Sequence, residues 1–348
     1  MKKFIVVIIF FFVIFSFVGK SFSFFFCEKI IGTHHSLIVD TDVNVDDLVA
    51  ILFLLKCKNI DLKAITTVGC SITHHKIGAR NVSNLLYFAG HPNIPVAIGE
   101  GKSLSPYGSF PKEWKKFVND LPGIYLPKNP YPLSKLSSVD LLIKKLSESK
   151  KKISILVTGP MTNIAVALKK EPLIKKKIKR LYIMAGAIDV PGNIYGKIKN
   201  IENKVAEYNI LLDAKAADII FCSKIPITLI PLDATNQVPF SKNFASRFKK
   251  ERKTSYSQFS YQILKKASTE AAKKLYLWDI LAAILVTKHN IGKYENLKLQ
   301  VNLEEGKEYG KLIQSEKGNL IKVCKKIDKK SFYDILIHTL NSSYSRAY

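Results

Sequence analysis

Acidic residues crowd into one short stretch of the sequence, the segment LIVDTDVNVDDLVAILFLL at residues 37–55. Four carboxylates fall within eight positions there, at Asp40, Asp42, Asp46 and Asp47. Isolated carboxylates are costly to bury, so a cluster beside an apolar run needs a cation or hydrogen-bond donors to hold it. The spacing does not complete an EF-hand calcium loop, because Val45 replaces the glycine and Ile51 the bidentate glutamate of that loop. The cluster therefore predicts an oxygen-rich site of another design.

The turn that carries these acids has three interpretations. Asp42 and Asp47 flank a strand-to-helix turn that could aim both carboxylates at one hard cation, with Asn44 in a left-handed backbone conformation. A simpler interpretation is that Asp46 or Asp47 caps the following helix, where negative charge is favourable. A third is the aspartate pair of a haloacid-dehalogenase-type phosphatase. That pattern requires Thr or Val at the position that Asn44 occupies.

The elements that must position these acids alternate along the chain. Short β-branched segments predict strands at 36–40, 62–69, 96–99, 153–159, 180–187 and 226–233, with a strand-rich region around 297–323. Amphipathic stretches predict helices at 46–57, 74–89 and 138–147, in the segment MTNIAVALKK, within 240–287 and from about 330. A Pro- and Gly-rich connection runs on from 99 to about 133. This alternation predicts an α/β fold with a parallel sheet covered on both faces.

Several unusual residues follow the predicted strands directly. Asp40, Asp42, Thr158, Gly159 and Gly186 all stand at a carboxyl end. In open α/β sheets this edge is where ligands bind. We therefore expect the acidic cluster to lie on the functional edge of the sheet.

The first residues have the pattern of a secretory signal peptide. Lys2 and Lys3 precede an apolar run from 4 to 18 and a small-residue patch that predicts cleavage near Ser23. An uncleaved membrane anchor is the alternative, since the run approaches the length of a span. We expect a signal peptide at 1–23, a single catalytic domain at 24–348, no stable membrane span after cleavage, and a secreted or periplasmic protein.

The net charge of +26 invites a nucleic-acid interpretation. The lysines are scattered, however, and their short runs carry no interleaved aromatic residues and no nucleic-acid-binding module. The five cysteines form no CxxC pair and no zinc-like set with histidine. We expect no nucleic-acid polymer as a partner.

Four ordered segments carry a resemblance to one enzyme family. VDTDVNVDD resembles the DTDxxxDD signature of the calcium-dependent nucleoside hydrolases, and VTGPMTNIA at 157–165 resembles their TGPLTNIA segment. The stretch from Gly192 to Ala217 is similar to their GN…AEFN…DPEAA segment, with extra residues in the middle. LWDILAA at 277–283 resembles the segment that holds the last metal aspartate.

The resemblance implies a doubly wound α/β fold, a nucleoside as substrate and a homo-oligomer, either a dimer or a tetramer. It implies Ca²⁺ as the cofactor and assigns its ligands to Asp42, Asp47, Asp279 and the Thr158 carbonyl. Asp42 would also be the general base. The ribose would contact Asp46, Asn193, Glu207 and Asn209, and Asp40 would support the turn. Glu207 and Asn209 are two residues apart, so in an extended segment both side chains would face the same side; the alternative is that they only cap a helix starting near Asp213. Within the insertion, Asn203 competes with Asn193 for its role.

The chemistry of the acids agrees with this assignment. Ca²⁺ takes six to eight oxygens, so three carboxylates and one carbonyl leave room for water and sugar hydroxyls. An adjacent carboxylate can take a proton from that water as it attacks the anomeric carbon. The bond breaks through an oxocarbenium-like state that nearby negative charge stabilises.

The sequence departs from the family pattern on the side of the nucleobase. Trp278 stands where members specific for inosine and uridine carry a histidine that assists the leaving base. A tryptophan there can stack on a base, or it can be a core residue of an apolar helix. Ser71, His74 and His75 are further candidates for base contacts, although surface histidines are the commoner outcome. The alternative function is a catalytically weak nucleoside- or sugar-binding protein on the same fold.

Overall fold

The structure is a computed structural model that describes residues 34–99, 101–106, 110, 112–194, 202–270 and 274–344. The predicted signal peptide lies outside the described residues. Contacts within His34–Tyr348 define one compact unit. In the described part of the chain, no helix has both the length and the apolarity needed to cross a membrane.

A nine-stranded sheet forms the centre of the described structure, in the order β3-β2-β1-β4-β5-β6-β9-β7-β8. Its strands are β1 His35–Thr41, β2 Ile60–Thr67, β3 Val96–Ala97, β4 Ile153–Thr158, β5 Ile178–Met184, β6 Ile227–Ile230, β7 Gly292–Val301, β8 Leu312–Gln314 and β9 Asn319–Ile327. Strands β1 to β6 pair in parallel and β9 joins β6 in parallel, whereas β7 is antiparallel to β8 and β9. The predicted doubly wound, mostly parallel sheet is confirmed.

Helices surround this sheet. They are α1 Val45–Leu55, α2 His75–Phe88, α3 Lys112–Asp120, α4 Ser138–Ser147, α5 Thr162–Lys170, α6 Tyr208–Leu212, α7 Ala214–Cys222, α8 Leu232–Thr235, α9 Lys242–Glu251, α10 Ser255–Glu270, α11 Trp278–Thr287 and α12 Lys329–Leu340. Short 3₁₀ turns occur at Pro172–Lys177 and His289–Ile291. Helix α1 is buried along its whole length and packs against α10, α11 and α12. This burial explains why its sequence is apolar on every face.

The register of the parallel strands aligns the carboxyl ends of β1, β2 and β4, which the predicted functional residues follow. Thr41 at the end of β1 pairs with Thr67 of β2 and with Thr158 of β4. The loops that follow these three strands therefore leave the sheet side by side. Asp42 and Gly159, each one residue beyond its strand, come together at this edge.

Two predictions of local structure were wrong. The long connection through residue 133, expected to be irregular, contains helix α3. The segment around Glu207 and Asn209, expected to be extended, becomes helical at Tyr208 because the Glu207 side chain caps the first turn of α6. A short helix begun by a side-chain cap is difficult to recognise in sequence, because the cap is a local hydrogen bond rather than a periodic pattern.

Candidate active site

The turn between β1 and α1 is held by its own side chains. Asn44 is the N-cap of α1, and its side chain accepts a hydrogen bond from the Val45 amide at 2.8 Å. The Asp47 carboxylate accepts one from the Asn44 amide at 2.8 Å, which completes a capping box. The left-handed residue is Val43, with φ of 62°, whereas Asn44 is extended. The expectation for Asn44 was therefore wrong, and a β-branched residue holds the strained position instead.

Two threonines orient the Asp47 carboxylate. Thr41 and Thr158, paired across β1 and β4, donate their hydroxyls to Asp47 Oδ1 at 2.6 and 2.5 Å. With the Asn44 amide on Oδ2, three of the roughly four acceptor directions of this carboxylate are filled. The arrangement leaves room for one further electropositive partner.

Asp46, Asp47 and Asp279 form the tightest acidic group in the described residues, each with a potential ligand atom within 4.8 Å of the others. The acidic first turns of α1 and α11 create this group. The Asp279 amide donates to Asp46 Oδ2 at 3.2 Å, which fixes the two helix starts together. Asp46 Oδ1 and Asp279 Oδ1 are buried and have no hydrogen-bond partner.

The acidic group has no cationic partner in the described structure. No ion pair among the described residues involves Asp42 or the three grouped acids, and what surrounds them is hydrogen-bond donors and one another. Burial, and then the charge of Asp47, raises the pKa of Asp46 to about 7. Burial and neighbouring carboxylates also raise the pKa values of Asp47 and Asp279 well above the usual range. Buried oxygens without partners and accumulated negative charge fit a hard cation such as Ca²⁺.

Asp42 lies next to this group. Its carboxyl is a hydrogen-bond neighbour of the Asp47 carboxyl, and Ser71 Oγ donates to its Oδ2 at 2.6 Å. Gly159 permits the close approach, because a Cβ there would stand 2.9 Å from Asp42 Cβ. Burial raises the Asp42 pKa to about 6, while the Ser71 hydroxyl acts to lower it. A carboxyl with this pKa is ionised at neutral pH and still basic enough to accept a proton.

Asp40 lies below the turn and contacts neighbouring elements. Thr66 Oγ1 and Asn163 Nδ2 donate to its Oδ1 at 2.6 and 2.8 Å. Burial raises its pKa to about 7. Asp40 thus connects β1 to β2 and to α5, a position that agrees with the supporting role expected for it.

The expected ribose residues come together after β5. Glu207 accepts bonds on Oε2 from the amides of Gly186, Asn209 and Ile210 at 3.0, 2.9 and 3.3 Å. Asn209 Nδ2 donates to the carbonyl of Met184, the last residue of β5, at 2.9 Å. Burial raises the Glu207 pKa to about 7. Glu207 therefore caps α6 and not the helix after Asp213, which Asp213 itself caps, while Asn209 is not a cap but is bonded to β5.

The two candidate asparagines, Asn193 and Asn203, differ in their hydrogen bonds. Asn203 donates to the Tyr309 carbonyl and accepts from the Val205 and Ala206 amides, so both ends of its side-chain amide are used internally. Asn193 accepts from the Tyr208 amide at 3.1 Å, which places it beside Glu207. Gly192 allows this packing, because a Cβ there would meet the Ala206 carbonyl at 2.0 Å.

The four residues considered as base contacts differ in their burial and in their contacts. Trp278 is partly buried at the start of α11, and its buried Nε1 has no hydrogen-bond partner. Ser71 is fully buried and its hydroxyl is committed to Asp42, not exposed toward a base. His74 is exposed and stacks on the partly buried His75, with ring centroids 4.4 Å apart.

The donors that organise the acids were not among the predicted site residues. Thr41 and Asn163 lie inside the motifs that carry the resemblance, and Thr66 lies in the TTV segment at the end of β2. Their signal was their position: small hydroxyl or amide side chains at the carboxyl ends of strands next to carboxylates. A rule that buried charges require donors would have selected them.

The fold and the site together define a doubly wound α/β protein with a buried acidic group that could hold a metal ion at the carboxyl edge of its sheet. Residues 37–334 match the family described as inosine-uridine preferring nucleoside hydrolase. This chain belongs to that family, which confirms the predicted resemblance.

Relatives of known name cover part of the chain. It is 32% identical over 214 residues to uridine nucleosidase 1 of Arabidopsis thaliana, across 61% of this chain and 60% of the relative. It is 33% identical over 213 residues to the pyrimidine-specific ribonucleoside hydrolase RihA of Escherichia coli, across 61% and 65%. The matched stretch thus spans less than two thirds of the length of these relatives.

Solved structures are similar over more of the chain. An inosine-uridine preferring nucleoside hydrolase from Bacillus anthracis has a TM-score of 0.77 and 25% identity, covering 88% of this chain and 99% of its own. A purine-preferring ribonucleoside hydrolase from Gardnerella vaginalis has a TM-score of 0.74 and 28% identity, covering 88% and 98%. The named relatives differ in base preference, so the comparisons leave the base open.

Proposed function

We propose that this protein hydrolyses the N-glycosidic bond of ribonucleosides to give ribose and a free base. Family membership supports the reaction class. The observation that carries the proposal is the group of Asp46, Asp47 and Asp279, in which two buried oxygens lack any partner and the described structure supplies no cation. Such a group is costly to maintain unless it holds a metal ion.

Ca²⁺ is the proposed cofactor, with Asp42, Asp47, Asp279 and the Thr158 carbonyl as ligands. All of these offer oxygen, which suits a hard cation. Asp46 belongs to the same close group, so it either faces the ribose, as proposed, or adds a ligand. The cation, when bound, supplies positive charge that makes a nearby water easier to deprotonate.

Asp42 is the proposed general base. Its neighbours Ser71 and Asp47 fix the carboxylate in orientation, and its pKa of about 6 keeps it ionised near neutral pH. It takes the proton of the attacking water as the anomeric carbon gains its new oxygen. The surrounding carboxylates favour the cationic character that the sugar develops in the transition state.

Asn193, Glu207 and Asn209 are the proposed ribose contacts, with Trp278 beside the base. Each of the first three is already held by backbone groups, so its remaining polar atoms are presented in a fixed geometry. Such preorganisation reduces the entropy lost when the sugar binds. Trp278 has an apolar ring for stacking and a buried Nε1 still without a partner.

The test is hydrolysis of purine and pyrimidine ribonucleosides by the mature protein, followed by the release of reducing sugar. We expect activity with Ca²⁺, loss on exhaustive chelation, and poor substitution by Zn²⁺. Full activity in protein that elemental analysis finds free of metal would remove the cation from the proposal. Nucleoside binding without sugar release would favour the alternative, a catalytically weak binding protein.

Export and assembly are further parts of the proposal. The lysine-led apolar segment at the start of the chain supports a secreted or periplasmic location after cleavage near Ser23. Amino-terminal sequencing of the exported protein tests the cleavage. We also propose a homo-oligomer, dimer or tetramer, which sedimentation of the mature protein tests.

A further inference from the structure

The loop between β2 and α2 contacts the acidic β1–α1 turn at two points. Ser71 Oγ donates to Asp42 Oδ2, and two residues later Thr73 Oγ1 donates to the backbone carbonyl of Val43 at 2.8 Å. Thr73 and Val43 are both almost fully buried. The first contact acts on a carboxylate, whereas the second acts on the backbone of the turn.

Val43 is the strained residue of this turn. Its φ of 62° lies in the left-handed region, which a β-branched residue avoids because its side chain crowds the backbone there. Such a conformation persists only where the surrounding contacts hold it. Val43 is held on both sides, because its amide donates to Thr41 Oγ1 at 2.9 Å and its carbonyl accepts from Thr73.

The two peptide groups that flank Val43 both lead to the Asp47 carboxylate. The peptide after Val43 accepts from Thr73 through its oxygen and donates through the Asn44 amide to Asp47 Oδ2 at 2.8 Å. The peptide before Val43 donates to Thr41 Oγ1, and the Thr41 hydroxyl donates in turn to Asp47 Oδ1 at 2.6 Å. Each peptide group is planar and rotates as a unit. A change of φ at Val43 toward its relaxed range would therefore withdraw donors from a proposed Ca²⁺ ligand.

The position of Thr73 is fixed by helix α2. The next residue, His74, is the N-cap of α2, and its amide donates to Asn119 Oδ1 of α3 at 2.9 Å. Gly78 of α2 packs against Thr73 and Val43, since a Cβ there would stand 3.0 Å from Thr73 Cγ2 and 3.2 Å from Val43 Cγ2. Ordinary contacts between carbon atoms are about 3.5–4.0 Å. Glycine therefore lets α2 pack closely on both side chains, and the Thr73 hydroxyl meets the Val43 carbonyl from a fixed position.

We propose that Thr73 is a positioning residue that keeps Val43 in its left-handed conformation and so presents Asp47 to Ca²⁺. The inference rests on the Ca²⁺ site of the proposed function. In this role Thr73 contacts neither the cation nor the sugar, because it acts through the backbone of the turn. Without the Thr73 hydroxyl, a smaller fraction of the metal-free protein has the turn in its binding conformation, and the apparent Ca²⁺ affinity falls with that fraction.

Calorimetric titration of the chelator-treated mature protein with Ca²⁺ measures this effect. Thr73→Val keeps the shape of the side chain but removes the hydroxyl, so we expect Ca²⁺ to bind about tenfold more weakly, roughly the worth of one buried hydrogen bond. Thr73→Ser keeps the hydroxyl and should stay within about threefold of wild type.

Thr235→Val is the matched control. It removes the hydroxyl of another buried threonine, which donates to the Pro231 carbonyl at the start of α8. Urea denaturation of the metal-free proteins should show a lower free energy of unfolding for both Thr73→Val and Thr235→Val. Only Thr73→Val should also weaken Ca²⁺ binding, because Thr235 does not contact the turn.

A second background tests the role of the strain at Val43. Glycine adopts the left-handed conformation about as readily as the right-handed one, so Val43→Gly removes the need to hold the turn. Adding Thr73→Val in this background should weaken Ca²⁺ binding by less than about threefold, against about tenfold when Val43 is present. The effect of Thr73→Val is measured within each background, so the packing lost with the valine side chain does not enter the comparison.

Three outcomes would overturn the inference alone. Wild-type Ca²⁺ affinity in Thr73→Val would mean that Thr73 only packs against the turn. An equal loss in the Val43→Gly background would mean that the hydroxyl does not act through the strain at Val43, and a loss in Thr73→Ser as large as in Thr73→Val would assign the effect to the methyl group.

Failure of the proposed function looks different from failure of this inference. If the protein is not a hydrolase, the wild type would bind Ca²⁺ and Thr73→Val would bind it more weakly, while neither releases sugar from any nucleoside. Wild-type protein with no Ca²⁺ affinity would overturn both the proposed cation site and the role of Thr73.

Discussion

The β1–α1 turn and helix α3 lie at the same edge of the sheet, yet they hold their polar groups in opposite ways. In the turn, Asp47 is fully buried and receives three hydrogen bonds from Thr41, Thr158 and the Asn44 amide. On α3, Lys115 is partly buried on a helix whose only buried residue is Val118. The proposed cation site needs oxygens in fixed positions, and the hydrogen bonds of the turn supply them, whereas α3 has little buried surface to fix its side chains. The comparison teaches that the turn is determined by hydrogen bonds to buried acids, and α3 by contacts with neighbouring elements.

The largest expected effect on activity comes from a change in the β1–α1 turn. Asp42→Asn keeps the shape of the side chain but removes the proton acceptor and one ligand charge. We expect kcat to fall by roughly 10² or more. Because the loss lies in the water step, it should affect nucleosides and 4-nitrophenyl β-D-ribofuranoside alike. Asp61→Asn, on a partly buried acid of β2 away from the site, is the control, and a variant that keeps both activity and metal would mean that Asp42 is misassigned.

The ribose preference tests the region after β5. A site built to bond a hydroxyl rejects the analogue without it, so ribonucleosides should exceed 2′-deoxynucleosides by several orders of magnitude in kcat/KM. Asn209 Nδ2 is committed to the Met184 carbonyl, so its side-chain oxygen is the atom left for the proposed bond to the sugar. Asn209→Ala should therefore shrink the preference about tenfold or more, at roughly the worth of one buried hydrogen bond.

Measuring both sugars on wild type, on Asn209→Ala and on the exposed control Asn296→Ala decides this prediction. A ratio that stays unchanged would remove Asn209 from the sugar site and leave it as an anchor of α6 alone. Equal weakening of both substrates would point to a displaced helix, because α6 is held to β5 by this side chain.

The acids of the β1–α1 turn could be predicted from the sequence, whereas their hydrogen-bond donors and helix α3 could not, for a physical reason. Carboxylates at the carboxyl end of a strand are rare enough that Asp42 and Asp47 stand out, and the parallel register then brings their strands together. Donors such as Thr41 are common residues whose role appears only when a carboxylate lies opposite. Helix α3 lies in a Pro- and Gly-rich connection, where local signals favour loops and tertiary contacts, among them those with α2 and Tyr208, stabilise the helix.

A smaller effect concerns the hydrogen bond that tunes Asp42. The Ser71 hydroxyl stabilises the Asp42 carboxylate and so lowers its pKa, against the burial that raises it to about 6. The ionised carboxyl is the active form, so activity should be lost as pH falls through this pKa. Ser71→Ala removes the donor and raises the pKa further. We expect the acid limb of the kcat profile to move to higher pH, with activity near pH 8 little changed. A limb that moves to lower pH, or stays in place, would contradict the assigned contact.

The smallest expected effect is on stability, and it tests how redundant the hydrogen bonds of the β1–α1 turn are. Asn44 caps α1 through its side chain, while its backbone amide separately donates to Asp47. Asn44→Ala removes the first interaction and keeps the second, so it should lower the free energy of unfolding by about 1 kcal/mol. Denaturation in urea measures this change. The Asp47 carboxylate retains its donors Thr41 and Thr158, so Ca²⁺ affinity should change by no more than about threefold. Ser137→Ala, which removes the equivalent cap of α4 on a side chain bonded to Asp140 and not to the grouped acids, should cost a similar amount of stability. If Asn44→Ala alone also abolishes Ca²⁺ binding, the cap sets the geometry of the site, and the turn is less redundant than its hydrogen bonds indicate.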